Sequence, residues 1–185
     1  MNLKKLVTAA VCTMLMAAVA FTAGCGGEKK SDKKVLKVGM ECAYAPYNWS
    51  QTKADGGAVK IAGSNEYAYG YDVMMAKKLA DSMGADLEIH KIEWDGLAPA
   101  VVSGKIDAAI AGMSITSKRK ETVDFTKPYY YATVVALVKK DSEQAKAQSV
   151  ADLKGSVATS QLNTIWYDQI DQVPDVKKLP AIDTV

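Results

Sequence analysis

Between Val35 and residue 111, short apolar runs alternate with segments patterned like helices, and this alternation is what most constrains the fold. Val35–Met40 (VLKVGM) reads as a strand. Tyr71–Met83 carries Val73, Ala76, Leu79, Ala80 and Met83 at helical spacing, and Gly84 follows as a stop. Residues 87–92 read as strand. Asp95 is placed to cap a helix running to Ser103, with Pro99 early and Gly104 just past its end. Residues 106–111 read as strand again. Such an order predicts an α/β fold with a parallel sheet and helical crossovers. An insert over 44–70 separates the first strand from the first helix, and Asp55-Gly56-Gly57 within it predicts a hairpin.

The densest chemistry follows at 111–130, AGMSITSKRKETVDFTKPYY. A small-residue turn (Ala111, Gly112), two hydroxyls (Ser114, Thr116), a guanidinium (Arg119) and an aromatic-proline exit (Phe125, Pro128, Tyr129, Tyr130) sit at the carboxyl end of a strand. In open α/β sheets ligands bind at that end. A guanidinium beside hydroxyls and a tight turn suits a small carboxylate. Beyond Pro128 the pattern changes. Residues 129–138 form a β-branched and aromatic run that predicts a long strand, and 139–148 is a charged connector. A second unit then begins, with 150–153 helical, 156–159 strand and 162–170 helical. The break near 139 predicts two lobes. The second is too short here to bury a core like the first.

The amino terminus has the grammar of an export signal. Lys4 and Lys5 precede a charge-free run over 6–21, and Thr22-Ala23-Gly24-Cys25 follows. The run is shorter than the roughly 20 apolar residues of a spanning helix, although a retained anchor is the alternative. Residues 26–34 (GGEKKSDKK) read as a flexible tether. The chain has 23 basic and 21 acidic residues, and loss of Lys4 and Lys5 with the signal leaves the two signs equal. No net basic field remains to draw in nucleic acid. Only Cys42 of the three cysteines stays in the predicted globular part, which excludes a disulfide framework. A catalytic cysteine would need a histidine partner. His90, the only one in the sequence, sits in a strand-like run, so Cys42 reads as a small, partly buried thiol.

Four segments together resemble one family: 35–49 (VLKVGMECAYAPYNW), 70–80 (GYDVMMAKKLA), 93–130 (EWDGLAPAVVSGKIDAAIAGMSITSKRKETVDFTKPYY) and 151–170 (ADLKGSVATSQLNTIWYDQI). They are similar to the extracytoplasmic solute-binding proteins of ABC importers, in the polar amino-acid family (family 3). The resemblance implies a type II periplasmic-binding-protein-like α/β fold, with a complete or near-complete first lobe at 35–138 and a partial second lobe at 139–185. It implies a lipoprotein signal at 1–24, with Cys25 as the lipidated residue opening a tether over 25–34. Thr22 departs from the leucine usual at its position.

Further expectations follow from the resemblance. Arg119 would grip the α-carboxylate of a polar or cationic L-amino acid, and Ser114 would help hold its ammonium. Ala111 and Gly112 would line the same spot through their backbone. Tyr44 and Trp94 would flank the ligand, with Tyr47 and Trp49 shaping the lobe or its hinge side, and Glu41 would read a cationic side chain. Gln161 and Thr164 would contribute from the second lobe, where Asn163-Thr164 replaces the family's usual Gly-Thr or Gly-Ser. The expected protein is not an enzyme, uses no cofactor or metal, and hands its cargo to an ABC permease from a lipid anchor outside the cytoplasm. Family members continue beyond Ile182, so the resemblance implies a carboxyl-terminally incomplete chain. A ligand-sensing domain, or an enzyme on the same fold such as a dehydratase or transglycosylase, is the alternative. Either would need features not seen in these motifs.

Overall fold

Alternating burial along Val35–Met40 makes this run the central strand β1. Leu36, Val38 and Met40 are buried while Val35 and Lys37 face out. These observations come from a computed structural model, in which residues 33–183 are described. The predicted signal at 1–24, Cys25 and nearly all of the tether lie outside those residues.

The chain leaves β1 into a small antiparallel sheet of Ala43–Tyr44 (β2), Asn48–Gln51 (β3), Val59–Lys60 (β4) and Tyr67–Tyr69 (β5), in the order β2-β3-β5-β4. Asp55–Gly57 is a 3-10 turn that joins β3 to β4, which are not neighbours because β5 lies between them. The hairpins here are therefore formed by β2 with β3 and by β4 with β5, not around Asp55-Gly56-Gly57 as the sequence predicts. Gly56 and Gly57 instead supply the positive φ, 68° and 87°, that the turn requires.

Helix α1 (Tyr71–Met83) crosses back to β6 (Asp86–Lys91), which pairs parallel with β1. The buried face of α1 is narrow: Val73, Ala76 and Ala80 pack inward, whereas Leu79 and Met83 are exposed. Small residues let the helix lie close to the sheet. Gly84 ends it in the left-handed region and donates to the Ala80 and Asp81 carbonyls. A 3-10 turn at Trp94–Gly96 and helix α2 (Leu97–Val102) lead to β7 (Ala108–Ala109), on the other edge of β1. Asp95 lies inside the 3-10 turn and caps nothing. Only two residues of the predicted 106–111 strand pair as a ladder; at its start the Asp107 carboxylate takes the Lys37 N–H at 2.8 Å in place of a carbonyl. The sheet order β6-β1-β7, all parallel, puts Glu41 and Ala111 just past the carboxyl ends of adjacent strands.

Residues 129–138 do not form the predicted strand. Tyr131 is 82% exposed, Val135 81% and Leu137 100%. A β-branched run becomes a strand only where another edge supplies hydrogen-bond partners, and among the described residues none lies beside it. After helix α3 (Ser117–Lys120) come 3-10 turns at Glu143–Lys146 and, capped, at Val150–Leu153, then strand β8 (Val157–Ala158), helix α4 (Ile165–Gln169) and strand β9 (Lys177–Lys178), which pairs parallel with β8. Beyond Ala111 the only buried described residues are Gln161 and Thr164. Both are polar, so this part is held by specific polar contacts rather than by an apolar core of its own.

Candidate functional site

Glu41 leaves the end of β1 and is only 6% exposed. Its Oε1 accepts from Gln161 Nε2 at 2.9 Å, and Gln161 also donates to the Asp183 carbonyl at 3.1 Å. Thr164 caps α4: its hydroxyl accepts from Tyr167 N at 3.2 Å and donates to the Gln161 carbonyl at 2.7 Å. Cap and buried amide thus fix each other, and Gln161 is presented to Glu41.

A second junction surrounds Arg119. Thr116 caps the short α3, its hydroxyl accepting from Arg119 N at 3.1 Å. The guanidinium donates through Nη1 to the Ser114 carbonyl at 2.7 Å and through Nη2 to the Asn163 carbonyl at 2.9 Å. Its carbon lies 5.3 Å from the centre of the Trp94 ring, within cation–π range. Trp94 Nε1 donates to the same Asn163 carbonyl at 3.3 Å, and Asn163 Nδ2 donates to Asp95 at 2.9 Å. Among the described residues no carboxylate lies within ion-pair distance of Arg119. Burial lowers its pKa, opposed by the more distant charge of Asp168.

Asn163 is not among the residues that the sequence singles out for binding, yet it touches three of them or their neighbours. Its φ of 55° is left-handed, as an asparagine in this Asn-Thr pair allows, and that bend turns its carbonyl toward Trp94 and Arg119.

Tyr44, Gly112 and Ser114 line a separate cavity of about 310 Å³, walled otherwise by Tyr47, the 125–134 segment and the start of α4. The Tyr44 and Tyr47 rings stack at 5.0 Å, and a Cβ on Gly112 would sit 3.5 Å from Tyr44. Trp49 packs edge-on against Tyr69 within the small sheet instead. Eight of the nine candidates therefore fall in two adjoining places. Glu41, Trp94, Arg119, Gln161 and Thr164 form a polar seam, and Tyr44, Gly112 and Ser114 form an aromatic cavity. Ala111 is buried beneath the turn. Cys42 is also buried, and burial pushes its thiol up to about 12, which removes it as a nucleophile. Among the described residues no three His, Cys, Asp or Glu side chains gather as metal ligands.

The Glu41 carboxyl is pushed above its ordinary value of 4.5, chiefly by burial and further by Glu93 and Asp95, while the Gln161 hydrogen bond opposes the rise. A raised carboxyl binds its proton more tightly when folded. Its contribution to stability is thus complete below about pH 4.5 and is lost as pH rises through the folded value. Glu41→Gln keeps an acceptor for Gln161 without the buried charge. Its melting temperature at pH 7 is expected to exceed the parent's by about 2–4 °C, the effect of 1 kcal/mol in a chain of this size. Scans at several pH values should show the gain vanish toward pH 4. A gain independent of pH would show that the charge is not the cause.

Comparison with known proteins gives this arrangement a context. The family model for bacterial extracellular solute-binding proteins, family 3, matches residues 36–178. The arginine-binding extracellular protein ArtP of Bacillus subtilis (strain 168) is 33% identical over 140 residues, covering 76% of this chain and 49% of ArtP. The ABC transporter arginine-binding protein 1 of Escherichia coli (strain K12) is 32% identical over 176 residues, covering 95% of this chain and 61% of that protein. Among solved structures, an ancestral arginine-binding protein bound to glutamine aligns with a TM-score of 0.67 at 32% identity, covering 83% of this chain and 62% of that one. The fold is that of type II periplasmic amino-acid-binding proteins. The chain spans about half to three fifths of the length of these relatives.

Proposed function

The chain belongs to the bacterial extracellular solute-binding proteins, family 3, and from this premise we propose that it captures a polar or cationic L-amino acid outside the cytoplasm for an ABC importer. The observation that carries the reading is the Arg119 guanidinium, which spans the Ser114 and Asn163 carbonyls with no carboxylate partner among the described residues. A ligand carboxylate displaces the Asn163 carbonyl from Nη2 and pairs with the guanidinium fork through two hydrogen bonds. The exchange is favourable because an anionic acceptor makes hydrogen bonds roughly twice as strong as a neutral one. The Ser114 region and the Gly112 turn receive the ammonium end, and Tyr44 and Trp94 bound the side chain. Glu41, buried without a cation among the described residues, favours a cationic side chain, which would displace Gln161 from it. The arginine-binding relatives point the same way, while the glutamine held by the ancestral protein keeps neutral polar ligands within the class. In this proposal residues 1–24 are a lipoprotein signal, Cys25 carries the lipid, and an ABC permease receives the cargo. Binding rather than catalysis is the role that the named relatives support.

For the contacts within 33–183 an affinity on the order of 1 mM is expected, about −4 kcal/mol. NMR titration of the chain with a panel of L-amino acids should move the Gly112 amide and the Trp94 indole for arginine, lysine or glutamine. Agmatine, which is arginine without its carboxylate, should leave them unmoved. An equal response to agmatine, or none to any amino acid at tens of millimolar, overturns the reading.

A further inference from the structure

Asp72 lies in the first turn of α1 and is completely buried, with no cation beside it among the described residues. Its two oxygens are each used once. Oδ2 accepts from Asn48 Nδ2 at 2.7 Å, and Oδ1 accepts from the Tyr129 hydroxyl at 2.7 Å. Each of those groups is tied in turn to a backbone amide. The Asn48 Oδ1 accepts from Cys42 N at 2.8 Å, and the Tyr129 hydroxyl oxygen accepts from Gly112 N at 3.0 Å.

The direction of this chain of bonds is fixed by chemistry. A backbone N–H can only donate, so the Asn48 oxygen must face Cys42 and its amide nitrogen must face Asp72. The Tyr129 oxygen receives from Gly112, and its hydroxyl donates to Asp72. Two donors therefore converge on one side chain, and only a carboxylate accepts from both. Burial raises the Asp72 pKa, while the Tyr129 and Asn48 hydrogen bonds oppose that rise; the positive end of α1 favours the charged form.

The two amides have something else in common. Cys42 and Gly112 both hold left-handed backbones, with φ of 56° and 62°. Cys42 follows Glu41 at the end of β1, and Gly112 follows Ala111 just past β7. For a residue with a Cβ such a conformation is strained and persists only where its surroundings over-determine it. The geometry points to Asp72 as a positioning residue that, through Asn48 and Tyr129, pins both turns from which the proposed ligand contacts emerge. Its effect on ligand affinity rests on the amino-acid-binding reading; its effect on the two turns does not.

The test is an exchange of the two side chains. In Asp72→Asn, the new amide accepts from Asn48 or from Tyr129 but not from both. Amide hydrogen exchange in the ligand-free chain is expected to rise about tenfold at whichever of Cys42 and Gly112 is tied to the arm that loses its acceptor, the worth of roughly one net hydrogen bond, with Val38 and Ile89 unchanged. A double variant that combines Asn48→Asp with Asp72→Asn restores every bond. The carboxylate, now on β3, accepts from Cys42 N and from the amide nitrogen now on α1, and the oxygen of that amide accepts from Tyr129. Its protection at both amides should return to within about threefold of the parent. Tyr129→Phe should release Gly112 alone. A uniform rise across the sheet, or a double variant no better than Asp72→Asn, overturns the positioning role. If protection responds as expected but the double variant binds no amino acid and neither does the parent, the fault lies in the ligand reading and not in the network.

Discussion

Arg119→Ala is expected to abolish the response of the chain to any amino acid. The guanidinium offers a planar fork that pairs with both oxygens of a carboxylate, and hydrogen bonds to charged groups contribute about 1.5–3 kcal/mol each. Losing two would weaken a millimolar ligand by a factor of at least about 100, beyond detection by titration. Stability should fall far less. The side chain gives up bonds to the Ser114 and Asn163 carbonyls and its place against Trp94. At about 0.5–1 kcal/mol for each of these three contacts, the melting temperature should drop by roughly 3–12 °C. Arg119→Lys separates charge from fork geometry. A lysine ammonium keeps the charge but meets one acceptor at a time, so partial binding is expected. The outcome that defeats the assignment is a folded Arg119→Ala chain in which L-arginine still moves the Gly112 amide.

Much of the parallel core was legible because its signals are local. The alternation in VLKVGM, the helical spacing of Val73, Ala76 and Ala80, and the stop at Gly84 each depend on residues within one element. The misreadings arose where a distant partner decides. The 129–138 run has strong β propensity, but propensity does not supply an edge, and the described residues offer none. The turn at Asp55-Gly56-Gly57 is present, but the strands it joins are not paired, because β5 enters between them. Asp95 has the sequence context of a helix cap and is instead an acceptor for Asn163, a residue 68 positions away.

The candidate residues show the same division. A guanidinium beside a small turn and hydroxyls is a compact pattern, so Arg119, Ser114 and Gly112 could be singled out together. Asn163 could be foreseen as a left-handed residue but not as the acceptor shared by Trp94 and Arg119, since that depends on how α4 is presented. Asp72 gave no signal beyond an acid in the first turn of a helix, where a solvated carboxylate would also be favourable. Only burial and the placement of Asn48 and Tyr129 distinguish the two cases.

Gly70→Ala is expected to be the most destabilising single methyl in the chain. Gly70 has φ 128° and ψ −176°, a conformation open essentially to glycine alone. A Cβ there would sit 2.3 Å from the Tyr47 carbonyl oxygen, 2.7 Å from its carbon and 3.0 Å from the Pro46 carbonyl oxygen. All three atoms are backbone, so no rotamer change relieves the contact. The same carbonyls accept from Tyr71 N at 3.2 Å and Asp72 N at 2.8 Å, which means the segment cannot retreat without unfastening the start of α1. We expect a loss of more than about 3 kcal/mol, combining backbone strain with lost hydrogen bonds, and a melting temperature lower by at least roughly 6–12 °C. Gly84→Ala provides the comparison. Its φ of 62° is also left-handed, but nothing lies within 4 Å of the added Cβ, so only the conformational cost of about 1 kcal/mol applies. Thermal melts of the two variants side by side distinguish contact from conformation. Equal losses would mean that the Tyr47 carbonyl yields readily and that α1 is not held by this turn. A Gly70→Ala loss about three times larger, with faster exchange at Gly112 as Asp72 shifts, would show that the helix start and the ligand turn are mechanically joined.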